Sequence, residues 1–427
     1  MLSGNFKMYS WMCDLFPINR SLTGDGVRKT LGYLSKLIPG MNIHSVKSGT
    51  RAFDWVVPDE WSIDEAYIED SEGDRILDFK NNNLHVVGYS IAVDKWLELD
   101  ELENYLHSLP EQPNAIPYVT SYYSRTWGFC LKHSQREKLK SGRYHVVIKS
   151  EIFTGEMNYA EVIIPGRESQ EVLLSTYICH PSMANNELSG PVVTSALVQW
   201  LKEQTDLKYT YRILFLPETI GSIYYLSRHY KSLQKKVIAG YVITCVGDER
   251  CFSFVPSKNG NTLSDRVAKH VLNHVSPDYK KYTFLDRGSD ERQYCSSGID
   301  LPIASIMRSK YHVYPEYHTS LDNLDFVTQS GLEGSLNVYQ KVITCIEGNH
   351  VIKSTTLCEP QLGKYGLYPK FTTKDSMHDI KIMMNLITYA DGFNSLLDVA
   401  DLIGSPLWEL KPILDDLVDK GLIRKIE

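Results

Sequence analysis

Four short polar clusters carry the residues that could do chemistry. They read Cys179-His180-Pro181-Ser182 running on to Asn185-Asn186-Glu187, then Pro217-Glu218-Thr219, then Gly288-Ser289-Asp290-Glu291, then Tyr317-His318-Thr319. The first two follow apolar runs at 171–177 and 211–216 that have the composition of buried strands. In open α/β sheets, loops at the carboxyl ends of the strands converge, and ligands bind there. Two imidazoles and several carboxylates brought together make a ligand set for a divalent ion, with one carboxylate left to act as a base. Amide hydrolysis needs such a set, because water must be made nucleophilic and an oxyanion stabilised. His180, Glu187, His318 and Glu218 fit that inventory.

The elements that must position these residues follow from the pattern of the chain. Strand-like runs at 171–177, 211–216, 238–245 and 302–307 alternate with helical stretches near 189–202, 222–232, 262–274 and 324–347. That alternation predicts an α/β fold, a mostly parallel sheet with helices on both faces. Tyr144 to Ile152 and Tyr159 to Ile164 read as a hairpin turning at Thr154-Gly155-Glu156. From about Phe53 to Trp127, short alternating stretches such as 66–70 and 84–90 are broken by Ser71-Glu72-Gly73-Asp74 and Asn81-Asn82-Asn83. They predict a small inserted β-rich unit. A linker after Pro360 ends near Lys374; helices over 380–389, 395–403 and 406–420 and a strand at 422–426 then give a winged-helix outline. The expected domains are 1–52 with 128–358, the insert 53–127, and the tail 373–427.

A chain of 427 residues has room for two or three domains, and its net charge of −7 gives no support for a nucleic-acid or anionic-membrane partner. The last tail helix sets Glu409, Asp415, Asp416 and Asp419 against Lys411 and Lys420, which opposes DNA reading and favours a structural role, a protein contact or an oligomer interface. The eight cysteines form no C-x-x-C pair, which excludes a zinc ribbon or thioredoxin-type site. Cys179 beside His180 is not read as a nucleophile dyad, because adjacent residues leaving a strand point to opposite sides. No apolar run reaches the roughly 18 residues of a membrane span, and Met1 to Met8 lacks the flank of a signal peptide; a cytoplasmic location is expected.

Gly24-Asp25-Gly26, Phe53-Asp54-Trp55, Pro58-Asp59-Glu60-Trp61, Trp127-Gly128-Phe129-Cys130, His180-Pro181-Ser182, Asn185 to Gly190, Pro217 to Gly221 and Tyr317 to Asn323 together resemble the bacterial aminopeptidase-like proteins, some of which are tied to polysaccharide biosynthesis. The likeness runs essentially end to end. More distantly, the α/β part resembles the co-catalytic zinc aminopeptidases and glutaminyl cyclases. The resemblance implies that His180 and His318 are metal ligands and Glu218 the catalytic base. It also shows departures: Ser182, Asn186, Thr219 and Thr244 stand where that superfamily has carboxylates, so one zinc ion held by His180, Glu187 and His318 is the leading expectation and two zinc ions the alternative. Asp248 and Asp290 are candidate extra ligands.

Each residue has a plainer reading. Glu187 could complement the dipole of the helix it precedes. Asp290 and Glu291 are either a solvated loop pair or a site for a substrate amino group, and Arg308 and Lys310 either surface cations or partners for a substrate carboxylate or phosphate. Tyr317 joins Asp290, Glu291 and Arg308 in the expected substrate-contacting set. The function expected is a zinc-dependent amide or peptide hydrolase of aminopeptidase type, taking a small or peptide-like substrate. The alternative is a scaffold that has lost catalysis and binds a ligand or protein partner.

Overall fold

The computed structural model describes residues 6–367 and 374–426. They form two compact units, one of residues up to 264 with 279–336, the other of 265–278 with 337 onward. The expected linker end lies partly at 368–373, outside the described residues.

In the first unit the apolar runs become an eight-stranded sheet. Its centre is four mutually parallel strands in the order Thr210–Leu216, Glu171–Tyr177, Val237–Val242, Ile303–Met307. Glu171–Tyr177 is buried along its whole length, as a strand covered on both faces must be. The charge at its start is answered by Arg212 on the next strand, which donates to both oxygens of Glu171 at 2.6 and 3.0 Å. Glu156–Ile164 and Asn42–Lys47 extend one edge antiparallel, and Ser253–Val255 with Lys280–Lys281 completes the other. The helices Asp25–Leu37, Ser189–Lys202 and Ile220–Lys236 belong to this unit.

A second, four-stranded antiparallel sheet runs in the order Arg75–Asp78, Glu60–Glu69, Arg143–Phe153, Val93–Glu98 and has a core of its own, including Ala66, Leu77, Trp127, Phe129 and Val146. The expected hairpin is therefore not formed. Arg143–Phe153 is paired on both sides within the insert's sheet, whereas Glu156–Ile164 is paired on both sides within the central sheet, so neither has an edge left for the other. The insert's sheet thus reaches residue 153, beyond the boundary expected at 127. The stretch expected as a strand at 84–90 instead begins with a 3-10 turn, Asn83–His85, because the Asn82 side chain accepts the Leu84 amide.

In the second unit Val351–Ser354 pairs antiparallel with Asp391–Ser395 and Ile423–Ile426. With Lys374–Thr388, Leu396–Ile403 and Leu407–Asp419 they make the winged helix, so its sheet starts about twenty residues before the expected boundary at 373. His270, from the segment 265–278, accepts the Leu407 amide at 2.9 Å and bonds Asp401 at 2.6 Å, which ties that segment to the wing. No described helix is long and apolar enough to cross a membrane.

One glycine sets how closely a helix approaches the sheet. A Cβ at Gly190 would lie 2.3 Å from the Ile243 carbonyl oxygen and 2.4 Å from Thr176 Oγ1. Gly190→Ala is expected to destabilise the chain by about 1–3 kcal/mol, the range for overpacking a core, in urea titration. An unchanged midpoint would mean that helix and sheet are free to separate there.

Candidate active site at the carboxyl ends of the parallel strands

The strand Glu171–Tyr177 hands the chain to Ile178, Cys179 and His180, all buried. A wide π-type turn at Ala184–Leu188 then brings Glu187 back beneath His180. Asp322 fixes that turn by accepting the amides of Asn185 and Asn186 at 2.6 and 2.9 Å. Burial pushes the Asp322 carboxyl up to about 6, against the pull of those amides.

His180 is the hub. Its Nδ1 lies 2.8 Å from Glu187 Oε2 and 3.5 Å from Cys179 Sγ, and its Nε2 lies 3.6 Å from Glu218 Oε2. Burial opposes the imidazolium, but Cys179 and Glu187 raise the His180 pKa well above the usual histidine range. Cys179, His180 and Glu187 offer ligand-type atoms that all lie within 4.8 Å of one another. His318 is outside that close group, yet its ring centre is 5.5 Å from that of His180. Burial, helped by His180 and His312, takes the His318 pKa down to about 2, so this imidazole is neutral and keeps a free lone pair. The residue is held at φ +55° and its carbonyl accepts the Tyr118 amide at 2.9 Å.

Glu218 sits at the end of the neighbouring strand, its side chain one-fifth exposed. Its amide donates to Cys179 Sγ at 3.2 Å. Desolvation raises the carboxyl pKa, and His180 and Arg292 partly offset the rise. Cys179 Sγ faces His180 Nδ1 instead of the opposite side expected from strand alternation, and burial pushes its thiol up to about 11.

These groups face a cleft of about 430 Å³ lined by Trp55, Tyr118, Tyr122, Tyr123, Glu218 and Arg292, among others. A second hollow of similar volume, about 430 Å³, is lined by Asp25, Lys29 and Asp64 but contains no described imidazole or thiol, so chemistry assigns function to the first. The insert contributes the cleft's aromatic wall, a set of residues that local sequence pattern did not single out. Its segment at 116–118 pairs with 318–320, through Ile116 and Ser320 and a bridge from Pro117 to Thr319.

Other expected site residues are placed elsewhere. Glu291 is buried and its Oε1 accepts the Gly288 and Ser289 amides and the Tyr311 hydroxyl. Asp290 is buried behind Thr219, accepting its amide and the Ser222 hydroxyl, each at 2.8 Å. Arg308 lies 3.8 Å over the Phe252 ring and bonds Ser335 and Gly331; Lys310 is buried against Tyr311. None of these four lines the cleft. Asp248 is saturated by Asn185, Arg250 and Ser309. Tyr317 stacks on His318 with ring centres 3.9 Å apart. Arg20, which the sequence did not mark, is fully buried with its Nε 3.9 Å from Glu187 Oε1 and bonded to the His180 carbonyl at 3.0 Å.

The comparisons agree with this architecture. A family model described as a domain of unknown function, DUF4910, matches residues 9–349, and one described as a winged helix-turn-helix matches 350–425. A Clostridium acetobutylicum protein, provisionally named for polysaccharide biosynthesis and an aminopeptidase-like domain, is 43% identical over 98% of this chain and 96% of its own length. A crystal structure from the same organism, provisionally named a peptidase, superposes with a TM-score of 0.93 at 43% identity, covering 98% of this chain and 96% of that one. The Bacillus subtilis zinc aminopeptidase gives 0.58 at 12% identity over 79% of this chain and 94% of that one, a likeness of fold.

Burial, and after it the charge of Glu218, push Asp290 up to about 7. A carboxyl whose folded pKa lies above its unfolded one binds its proton more tightly in the native state, so stability falls as pH rises from about 4 to about 7. Asp290→Asn keeps an oxygen for Thr219 and Ser222, and it should raise the urea midpoint at pH 8 while changing little at pH 4. Equal destabilisation at both values would mean that Asp290 is charged in the folded protein throughout.

Proposed function

This chain belongs to the DUF4910 family, and from the residues of its cleft we propose that it is a metal-dependent hydrolase of amide bonds. It is built on the aminopeptidase plan and acts on a small or peptide-like substrate. The observation that carries this reading is the Glu218 carboxylate 3.6 Å from His180 Nε2, with the neutral His318 ring beside them, at the mouth of an aromatic cleft.

The residues fit one ion better than two. Glu187 Oε1 is buried without a hydrogen-bond partner beside the close group of Cys179, His180 and Glu187, and the lone pair of His318 is free. Where a second ion would require carboxylates, Asn186 and Thr244 are neutral and tied together through Tyr177, and Thr219 is tied to Arg292. His180, through the Nε2 that faces Glu218, and His318 would hold the ion; Glu187 lies on His180 Nδ1 and would join them only by giving up that hydrogen bond. Imidazole donors favour zinc over magnesium. When bound, zinc supplies a polarised carbonyl and a more acidic water. Glu218 takes a proton on its carboxylate from the attacking water and returns it to the leaving amine nitrogen; the upward shift of its pKa by burial strengthens it as a base. The segment at 116–118 and the rings of Tyr118 and Tyr122 limit water and bulky chains at the reacting centre.

A second reading has its own observation. The neutral network of Asn186, Tyr177 and Thr244 is what a scaffold without catalysis would retain as packing. Such a scaffold would serve polysaccharide biosynthesis, as the name of the Clostridium relative suggests, through a bound ligand or partner.

Elemental mass spectrometry of untagged protein separates the two. The hydrolase reading expects about one zinc per chain, lost in His180→Ala. Glu218→Gln should keep the metal and cut turnover of aminoacyl and N-acyl anilides by about 10²–10⁴-fold. Protein that takes up no zinc and turns over none of them is the scaffold.

A further inference from the structure

The charge of the cleft is lopsided. Among its described lining residues Glu218 is the single carboxylate, and proton transfer occupies it. That leaves no acidic group in the lining to receive a substrate ammonium. The guanidinium in the lining is Arg292, exposed on the short helix Glu291–Tyr294. Its Nη2 donates to Thr219 Oγ1 at 2.6 Å, and among the described residues no carboxylate oxygen lies within 4.0 Å of the guanidinium. Its charge nevertheless reaches Glu218, where it helps hold the carboxyl pKa down.

The anchor of Arg292 is itself constrained. Thr219 has φ +66°, a conformation that costs a β-branched residue energy and persists only where its surroundings impose it. Here the Thr219 amide is bound by buried Asp290 at 2.8 Å, so the hydroxyl that carries Arg292 is fixed from behind. The same cleft is lined by two exposed aromatic residues of the insert, Trp55 at 40% and Tyr123 at 56% exposure, with ring centres 6.1 Å apart and planes at 66°. Rings left open to water in the wall of a cleft offer flat apolar faces to a planar or ring-shaped ligand.

We infer that the amide taken by this cleft carries both a ring and a negative charge, the ring lying on Trp55 and Tyr123 and the carboxylate or phosphate paired with Arg292. An amide with a free, protonated amino terminus is disfavoured, because Glu218 is the single carboxylate among the described lining residues and no other acidic group there could pair with it. This specificity rests on the cleft being the substrate site, as proposed above, but not on turnover.

Calorimetry on the full chain carrying Glu218→Gln reads binding without consuming the probe. N-acetyltyrosine, N-acetyltyrosinamide and tyrosinamide share one ring and differ in charge. N-acetyltyrosine should bind about tenfold or more tighter than the neutral amide, the size of one charge-assisted bond, and tyrosinamide should be weakest. Adding Arg292→Gln should bring the acid level with N-acetyltyrosinamide while leaving the affinity for that neutral amide unchanged. N-acetylglucosamine 1-phosphate set against N-acetylglucosamine decides whether the charged ring is a sugar phosphate or an aromatic acid. Tyrosinamide as the tightest probe, an anion preference that survives Arg292→Gln, or no binding of any probe at millimolar concentration overturns the inference. Wild-type turnover of amino-terminal and neutral amides with no preference for anions also overturns it, while leaving the hydrolase reading standing. An anion preference in a chain that hydrolyses nothing supports the inference and sinks the hydrolase reading.

Discussion

Burying an ionised carboxylate costs several kcal/mol unless opposite charge is buried with it, and removing one partner of such a pair costs about 3–5 kcal/mol. Glu187 imposes that condition on the head of the sheet. Its two answers are Arg20 and His180, both buried, and they come from distant stretches of chain. Arg20 is itself expensive to desolvate, which takes its pKa down to about 10, and it is held by the carbonyls of Leu15 and His180. Arg20 thus holds the backbone of His180 while the carboxylate it faces holds the His180 ring. With Nδ1 turned to Glu187, Nε2 is left for Glu218 and the cleft. One buried charge thus couples the N-terminal segment, the turn at 184–188 and the reacting groups.

The same economy of charge explains the neutral residues around it. Tyr177 bonds the Thr244 hydroxyl at 2.5 Å and accepts from Asn186 at 2.9 Å, while Thr244 donates to the Asn186 carbonyl at 2.8 Å. A carboxylate at 186 or 244 would add a buried anion within reach of Glu187 and Asp322, and Arg20 faces Glu187 alone. An ion with two positive charges would have to compensate it. Without those carboxylates the site holds its shape through hydrogen bonds between uncharged groups, and the anion that remains open to the cleft is Glu218.

Much of this was legible in the sequence because parallel strands buried on both faces write themselves as apolar runs. The runs at 171–177 and 211–216 end where His180 and Glu218 begin, and the fold rule for strand ends does the rest. The hairpin expected at 144–164 shows the limit. Its two strands are well formed, but the residues at the junction do not say that the chain changes sheets there, because pairing partners at 60–69 and 42–47 are remote in sequence. Asp290, Glu291 and Arg308 lie outside the cleft's lining for a related reason. A charged residue in a loop has the same local pattern whether it faces a cleft or is swallowed by backbone amides, as Glu291 is by Gly288 and Ser289. Arg20 is the converse, an ordinary-looking arginine whose importance lies in a carboxylate 167 positions away. Trp55 lies in the motif at 53–55, yet nothing local says that it or Tyr123 faces a cleft, since an insert's loops acquire a neighbour only when the whole domain folds.

The insert is more than a cover. Tyr118 lies with its ring centre 5.3 Å from that of His180 and 5.1 Å from that of His318, and its hydroxyl bonds Tyr122 at 2.6 Å. One side chain of the insert therefore packs against both imidazoles of the central domain. Its amide is spent on the His318 carbonyl, so the positive φ of His318 and the position of the insert stabilise each other. Separating the insert from the sheet would not open the cleft to longer peptides while leaving its chemistry intact. It would remove the wall that fixes the spacing of the two histidines. Substrate size and the geometry of the reacting groups are set by the same contacts, and a lineage that changed one would have to rebuild the other.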